Sequence, residues 1–247
     1  MSEQFQYQVF DKVDQRVFIQ NRCVDMVRAA ELADGTVFLD KSGRPLAHIF
    51  SLLFPLVYPL KPIPTTSYVN IGTEKFDAMR EYLYQTHTAT QKATRAMLTS
   101  QITDRESLNS IFGKEHVEEL ETLLNKTQGR NKLIIDDIRD KGDTKILAER
   151  IFSLLDPSST YSYFALLDKT EHRRSPIPGL KPSLPWGSHM TLRRDQTNNG
   201  IRDLYSFTTA HETNPTNIQK GHLLLDELDE FIFELTGVGI TDPNLLR

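Results

Sequence analysis

Twice in this chain a short run of β-branched and apolar residues breaks into a polar loop containing glycine, and the loop opens a helical pattern. In the first, Thr36-Val37-Phe38-Leu39 runs into Asp40-Lys41-Ser42-Gly43-Arg44, and Pro45 suits the first turn of the helix that follows. In the second, Lys132-Leu133-Ile134-Ile135 runs into Asp136-Asp137-Ile138-Arg139-Asp140-Lys141-Gly142-Asp143-Thr144, after which Ile146, Leu147, Ile151 and Leu154 carry a helix toward Asp156-Pro157. A strand covered on both faces reads as a continuous apolar run rather than an alternating one. Residues 67–72 and 161–167 read as two more strands. Strand, loop and helix in repeated order predict an α/β fold, a parallel sheet of about four to five strands with helices on both faces and right-handed crossovers.

The rest of the chain is arranged around that core, expected over residues 34–170. Residues 1–33 form an N-terminal helical flank, with Val13, Val17, Cys23, Val24, Val27 and Leu32 as its apolar positions and Asp34-Gly35 as its stop. The helix 46–54 should be packed on most sides. Residues 73–128 read as a polar helical insertion, with Leu120, Leu123 and Leu124 at helix spacing. Residues 171–247 give an irregular hood, then a C-terminal helix. On that helix Leu224, Leu228, Phe231 and Leu235 form one stripe, and Asp226, Glu227, Asp229 and Glu230 form a face expected to be solvated.

Several function classes fall away. The formal net charge of -4 and pI near 6.0 argue against general polyanion binding, leaving room for a local basic pocket. The one cysteine, Cys23, excludes an internal disulfide framework and fits a reducing cytoplasm. The N-terminal MSEQFQYQVF lacks the apolar core of a secretory signal. The apolar stretch 46–60 is broken by His48, Pro55 and Pro59 and is shorter than the ~20 residues a membrane span needs. The seven histidines show no metal-ligand spacing.

What remains is the chemistry of the two loops. In an open parallel sheet the carboxyl ends of the strands line the ligand crevice. There Asp136 and Asp137 can accept hydrogen bonds from two neighbouring hydroxyls or hold a cation. The turn after them opens a helix, whose free N–H groups suit a phosphate, and Thr144 adds a hydroxyl donor. The first loop offers Lys41 and Arg44 as charge, with Ser42 and Gly43 leaving backbone N–H groups reachable. An ordinary strand end with a helix cap, and a solvated basic turn, are the plain alternatives. Trp186 reads either as a base-stacking face or as an anchor for an irregular loop.

The segment 133–144 resembles the signature of type I phosphoribosyltransferases: an apolar strand, two acidic residues, linkers, then a Thr-Gly-x-Thr loop. Residues 38–47 are similar to that family's pyrophosphate loop. The resemblance spans residues 36–170. It implies that Asp136 and Asp137 hold the ribose hydroxyls of phosphoribosyl pyrophosphate, with Mg²⁺ held directly or through those hydroxyls and water. Lys141, Gly142, Asp143 and Thr144 would wrap the 5-phosphate, although Lys141 stands where the family has threonine. Lys41, Ser42, Gly43 and Arg44 would contact pyrophosphate. Asp140 matches the position that in purine-using members accepts a proton from the base, and Lys169 the position that contacts it. The expected activity is transfer of ribose 5-phosphate to a nitrogenous acceptor, a purine-like base among the candidates. The alternative is a regulatory protein that binds phosphoribosyl pyrophosphate or a nucleotide without turnover.

Overall fold

The structure is a computed structural model that describes residues 6–39, 43–71, 99–139, 142–168 and 215–239. Its elements run α1 (Val13–Ala29), β1 (Gly35–Leu39), α2 (Gly43–Val57), β2 (Thr65–Val69), α3 (Arg105–Phe112), α4 (Lys114–Lys126), β3 (Asn131–Arg139), α5 (Asp143–Leu155), β4 (Thr160–Asp168) and α6 (Pro215–Gly239). The four strands pair in one all-parallel sheet in the order β2-β1-β3-β4. This is the α/β parallel-sheet fold that the apolar runs predict. β2 begins and ends earlier than expected, at Thr65 and Val69. β3 is longer, because it carries the acidic pair inside the strand.

Both faces of the sheet are covered, which explains the unbroken apolar runs. Successive strand residues leave on opposite faces. Phe38, Tyr68, Leu133, Ile135 and Leu166 pack into one core with α1, α2 and α6. Val37, Leu39, Val69 and Ile134 pack into the other with α3, α4 and α5. Helix α2 is buried on most sides, as expected, with Leu46, Ile49, Phe50, Leu53 and Phe54 all inside. Its Phe50 meets Phe38 edge-on at 5.8 Å between ring centres. Burying each such side chain contributes roughly 1.5–3 kcal/mol. Cys23 is fully buried on α1 and free.

Two segments differ from their sequence reading. The later part of the presumed insertion is core: Leu120, Leu123 and Leu124 of α4 line the second layer, and α4 is a crossover helix between β2 and β3. The acidic run on α6 is not uniformly solvated. Glu227 is fully buried, and its carboxylate accepts hydrogen bonds from the backbone N–H groups of Gln8, Val9 and Phe10 at 2.6–2.9 Å. Asp229 Oδ1 lies 2.9 Å from Nε2 of the buried His48 on α2. The apolar stripe Leu224, Leu228 and Phe231 is fully buried as expected. Carboxylates on the flanks of that stripe dock α6 because backbone N–H groups and a histidine await them there.

The order of connections defines one special place. From β1 the chain passes through α2, over the first face, to β2. From β3 it passes through α5, over the second face, to β4. The two central strands are neighbours, yet their chains depart in opposite directions. That is a topological switch point, where departing loops diverge and leave a crevice at the carboxyl ends of the strands.

Candidate functional site at the switch point

β1 and β3 run in register from Gly35 opposite Lys132 to Phe38 opposite Ile135. β1 stops at Leu39, whereas β3 continues to Arg139, paired there with β4 through Asp136–Ala165, Ile138–Leu167 and Arg139–Asp168. The end of β3 therefore stands above β1 as one wall of the crevice. The first turn of α2, beginning at the buried Gly43 and half-buried Arg44, rises from the other side. Gly43 is close-packed: a Cβ there would lie 3.3 Å from Phe38 Cβ.

The acidic pair is not symmetric. Asp136 is 5% exposed and lies on the face of Ile134, beside Tyr163 of β4. The Tyr163 hydroxyl donates to its Oδ2 at 2.6 Å, and the Asp137 N–H donates to its Oδ1 at 2.9 Å. Burial, and next the charge of Asp137, push the Asp136 carboxyl up to about 7, against the smaller pull of the Tyr163 hydrogen bond. Burial and the neighbouring Asp136 charge likewise raise the Tyr163 phenol. Asp137 is half-buried, and its Oδ1 accepts from the Ile138 N–H at 2.7 Å. Asp136 can therefore carry hydrogen near neutrality, while the half-buried Asp137 offers a more open acceptor.

Beyond the pair, Arg139 Nη1 bonds Asp168 Oδ2 at 2.9 Å, locking the ends of β3 and β4 together. Gly142 follows in a left-handed conformation, φ +83°, and begins α5. A Cβ at Gly142 would lie 3.5 Å from Arg139 Nε, so the guanidinium sits against this turn. Asp143 and Thr144, both half-buried, form the first turn of α5. The structure thus brings Asp136, Asp137, Gly142, Asp143, Thr144, Gly43 and Arg44 to one edge of the sheet. Asp40, Lys41, Ser42, Asp140, Lys141, Lys169 and Trp186 lie outside the described residues. Tyr163 was missed from sequence, as was the role of Arg139 and Asp168. No sequence signal pointed to Tyr163, because its approach to Asp136 depends on the β3–β4 register, in which Tyr163 faces Ile134 and Asp136 faces Ala165.

Among the described residues no group of three or more His, Cys, Asp and Glu side chains is placed to hold a metal. Each oxygen of Asp136 accepts one hydrogen bond within the protein, which leaves lone pairs on both. Asp137 offers a carboxylate. Mg²⁺ is commonly held by one or two carboxylates plus substrate phosphates rather than by an all-protein cage. No helix among the described residues is long and apolar enough to cross a membrane. Comparison of the chain with protein-family models, with curated proteins and with solved structures returns no match.

Proposed function

We propose that this protein binds phosphoribosyl pyrophosphate in the crevice between β1 and β3 and transfers its ribose 5-phosphate to a nitrogenous acceptor, of which a purine-like base is the leading candidate. The observation that carries this reading is the switch point itself: the two segments read as ribose-phosphate and pyrophosphate loops leave adjacent parallel strands at the same edge of the sheet. Asp137 accepts from a ribose hydroxyl, and Gly142, Asp143 and Thr144 present the α5 terminus to the 5-phosphate. The loop 40–44 receives the pyrophosphate. Mg²⁺ bound with that group would supply charge neutralisation for the pyrophosphate. Asp140 takes the acceptor proton.

A second reading, binding without turnover, is favoured by one feature. Asp136, half of the presumed ribose-binding pair, is sealed against Tyr163. Titration calorimetry of the full chain with phosphoribosyl pyrophosphate and Mg²⁺, followed by pyrophosphate release with a panel of bases, tests both. Binding with release supports the transferase. Binding without release for any base supports the second reading. No binding rejects both.

A further inference from the structure

Tyr163 of β4 stands behind the acidic pair and touches both β3 and α5. The β3–β4 register sets Tyr163 opposite Ile134 and Ala165 opposite Asp136, so Tyr163 and Asp136 are diagonal neighbours on one face of the sheet. The tyrosine spans that diagonal, and its hydroxyl donates to Asp136 Oδ2 at 2.6 Å. Asp136 Oδ1 accepts the Asp137 N–H at 2.9 Å, and Asp137 Oδ1 accepts the Ile138 N–H at 2.7 Å. These contacts form a chain from a ring packed on the second core to the half-buried carboxylate at the crevice. The ring is braced by α5 as well. Lys145 Nζ, at the start of that helix, lies 5.8 Å from the ring centre, within the range of a cation–π contact.

The order of this chain decides which member a sugar would meet. Asp136 is buried and Asp137 half-buried, so a ligand in the crevice meets Asp137. The direction of the Asp137 carboxylate follows from its backbone, and that backbone is held by Asp136 Oδ1. An aspartate side chain turns about two bonds, and each oxygen of Asp136 is tied to a different donor. Without the Tyr163 hydroxyl, Oδ2 becomes a buried acceptor with no donor among the described residues, which costs the desolvation of that oxygen. The carboxyl then turns to find another donor and gives up its hold on the Asp137 N–H.

We infer that Tyr163 is a positioning residue for sugar recognition: through Asp136 it holds residue 137 so that the Asp137 carboxylate meets a ribose hydroxyl. The inference rests on the proposed binding of a ribose phosphate in the crevice. It adds that discrimination for the hydroxyl depends on a β4 side chain that does not itself touch the sugar.

The test compares ribose 5-phosphate with 2-deoxyribose 5-phosphate, which differ by one hydroxyl, on the full chain. Dissociation constants come from amide-proton shifts followed by NMR. The wild type binds the ribose ester about tenfold more tightly, the size of one hydrogen bond to a charged group. Tyr163→Phe keeps the ring and removes only the donor. It narrows the ratio to below about threefold, by weakening the ribose ester while the deoxy ester changes little. In an Asp136→Ala background the same substitution leaves the ratio unchanged, because the route through Asp136 is already gone. A merely structural role for Tyr163 weakens both esters alike and keeps the wild-type ratio, and that result overturns the inference. So does a narrowing in the Asp136→Ala background as large as in the wild type. A wild type that binds neither ester, or binds both alike, rejects the reading of the crevice itself, and the inference falls with it before any variant is made.

Discussion

The Tyr163 hydroxyl and the Asp136 carboxylate meet at 2.6 Å across the β3–β4 pairing, in the second core beneath the crevice. The contact binds the acid to the fold and divides the acidic pair. Asp136 becomes part of the interior, and Asp137 stays half-buried beside the crevice.

This division has a signature in pH. Asp136 is pushed up to about 7 in the folded protein, against about 3.9 in an unfolded chain. Between these values the folded state keeps a proton that the unfolded state has lost, so stability falls as pH rises from about 4 to about 7. The cost of ionising this group is fully present above about 7, on the order of 2–4 kcal/mol. Urea unfolding at intervals from pH 4 to 8 should show the Asp136→Asn variant with a flatter slope in this window. An unchanged slope would mean that Asp136 is ionised throughout.

A buried ion pair acts in the opposite sense. Lys132, 3% exposed, bonds Asp156 Oδ2 at 2.7 Å and the Leu124 carbonyl at 2.7 Å, and the Tyr161 hydroxyl adds a bond to Asp156 at 2.9 Å. Burial alone would raise the Asp156 pKa. The hydrogen bonds from Lys132, Ser159, Ser158 and Tyr161 outweigh it and hold the carboxyl well below the usual range. Its stabilisation is present above about pH 4 and is lost as pH falls further. Asp156→Ala should destabilise by about 3–5 kcal/mol, because it strands the Lys132 charge. Lys132→Met with Asp156→Leu should cost much less, and denaturant midpoints of the two variants compare them directly.

Glu227 is the clasp between the chain's two ends. Its carboxylate serves three consecutive N–H groups, Gln8, Val9 and Phe10. Charge-assisted bonds are worth roughly 1.5–3 kcal/mol each. Glu227→Ala should therefore destabilise by more than about 3 kcal/mol, and hydrogen exchange at residues 8–10 should accelerate before the rest of the protein unfolds. Exchange there at the wild-type rate would show that packing of Phe10 on Phe231 suffices.

Two turn glycines separate backbone strain from crowding. Gly113 and Gly129 share φ +81°, but nothing lies within 4 Å of a Cβ at Gly113, while one at Gly129 would collide with Asp34. Gly113→Ala should cost about 1–3 kcal/mol for its backbone alone, because φ +81° with ψ 138° is a region that side chains other than glycine's rarely enter. Gly129→Ala should cost clearly more and should broaden the amide signals of Asp34 and Asn131.

If the crevice is a transferase site, Asp140→Asn should lower turnover by about 10²–10⁴ while phosphoribosyl pyrophosphate affinity changes little. Asp136→Asn with Asp137→Asn should weaken that affinity well over tenfold, since charge-assisted acceptors are lost. Steady-state rates and calorimetry on the same preparations separate the two effects.

The sequence by itself determined the parallel sheet. Runs such as Val37-Phe38-Leu39 and Leu133-Ile134-Ile135 are apolar at every position, and only a strand covered on both faces needs that. Each run breaks into a polar, glycine-containing loop that opens a helix, so the loops were legible together with the strands. Strand order was not, because a run of apolar residues carries no record of its neighbour. Tertiary structure put β1 beside β3 and sent their chains over opposite faces, and the crevice exists only because of that choice. It also decided the fate of individual charges. Asp136 and Asp137 are adjacent and chemically identical, yet one faces Tyr163 in a core and the other remains half-buried. Asp226 is exposed on α6 while Glu227 is buried, because the N–H groups of residues 8–10 stand where Glu227 arrives. A carboxylate's environment is made by groups distant in the chain, and residue type and spacing say nothing of which groups those will be.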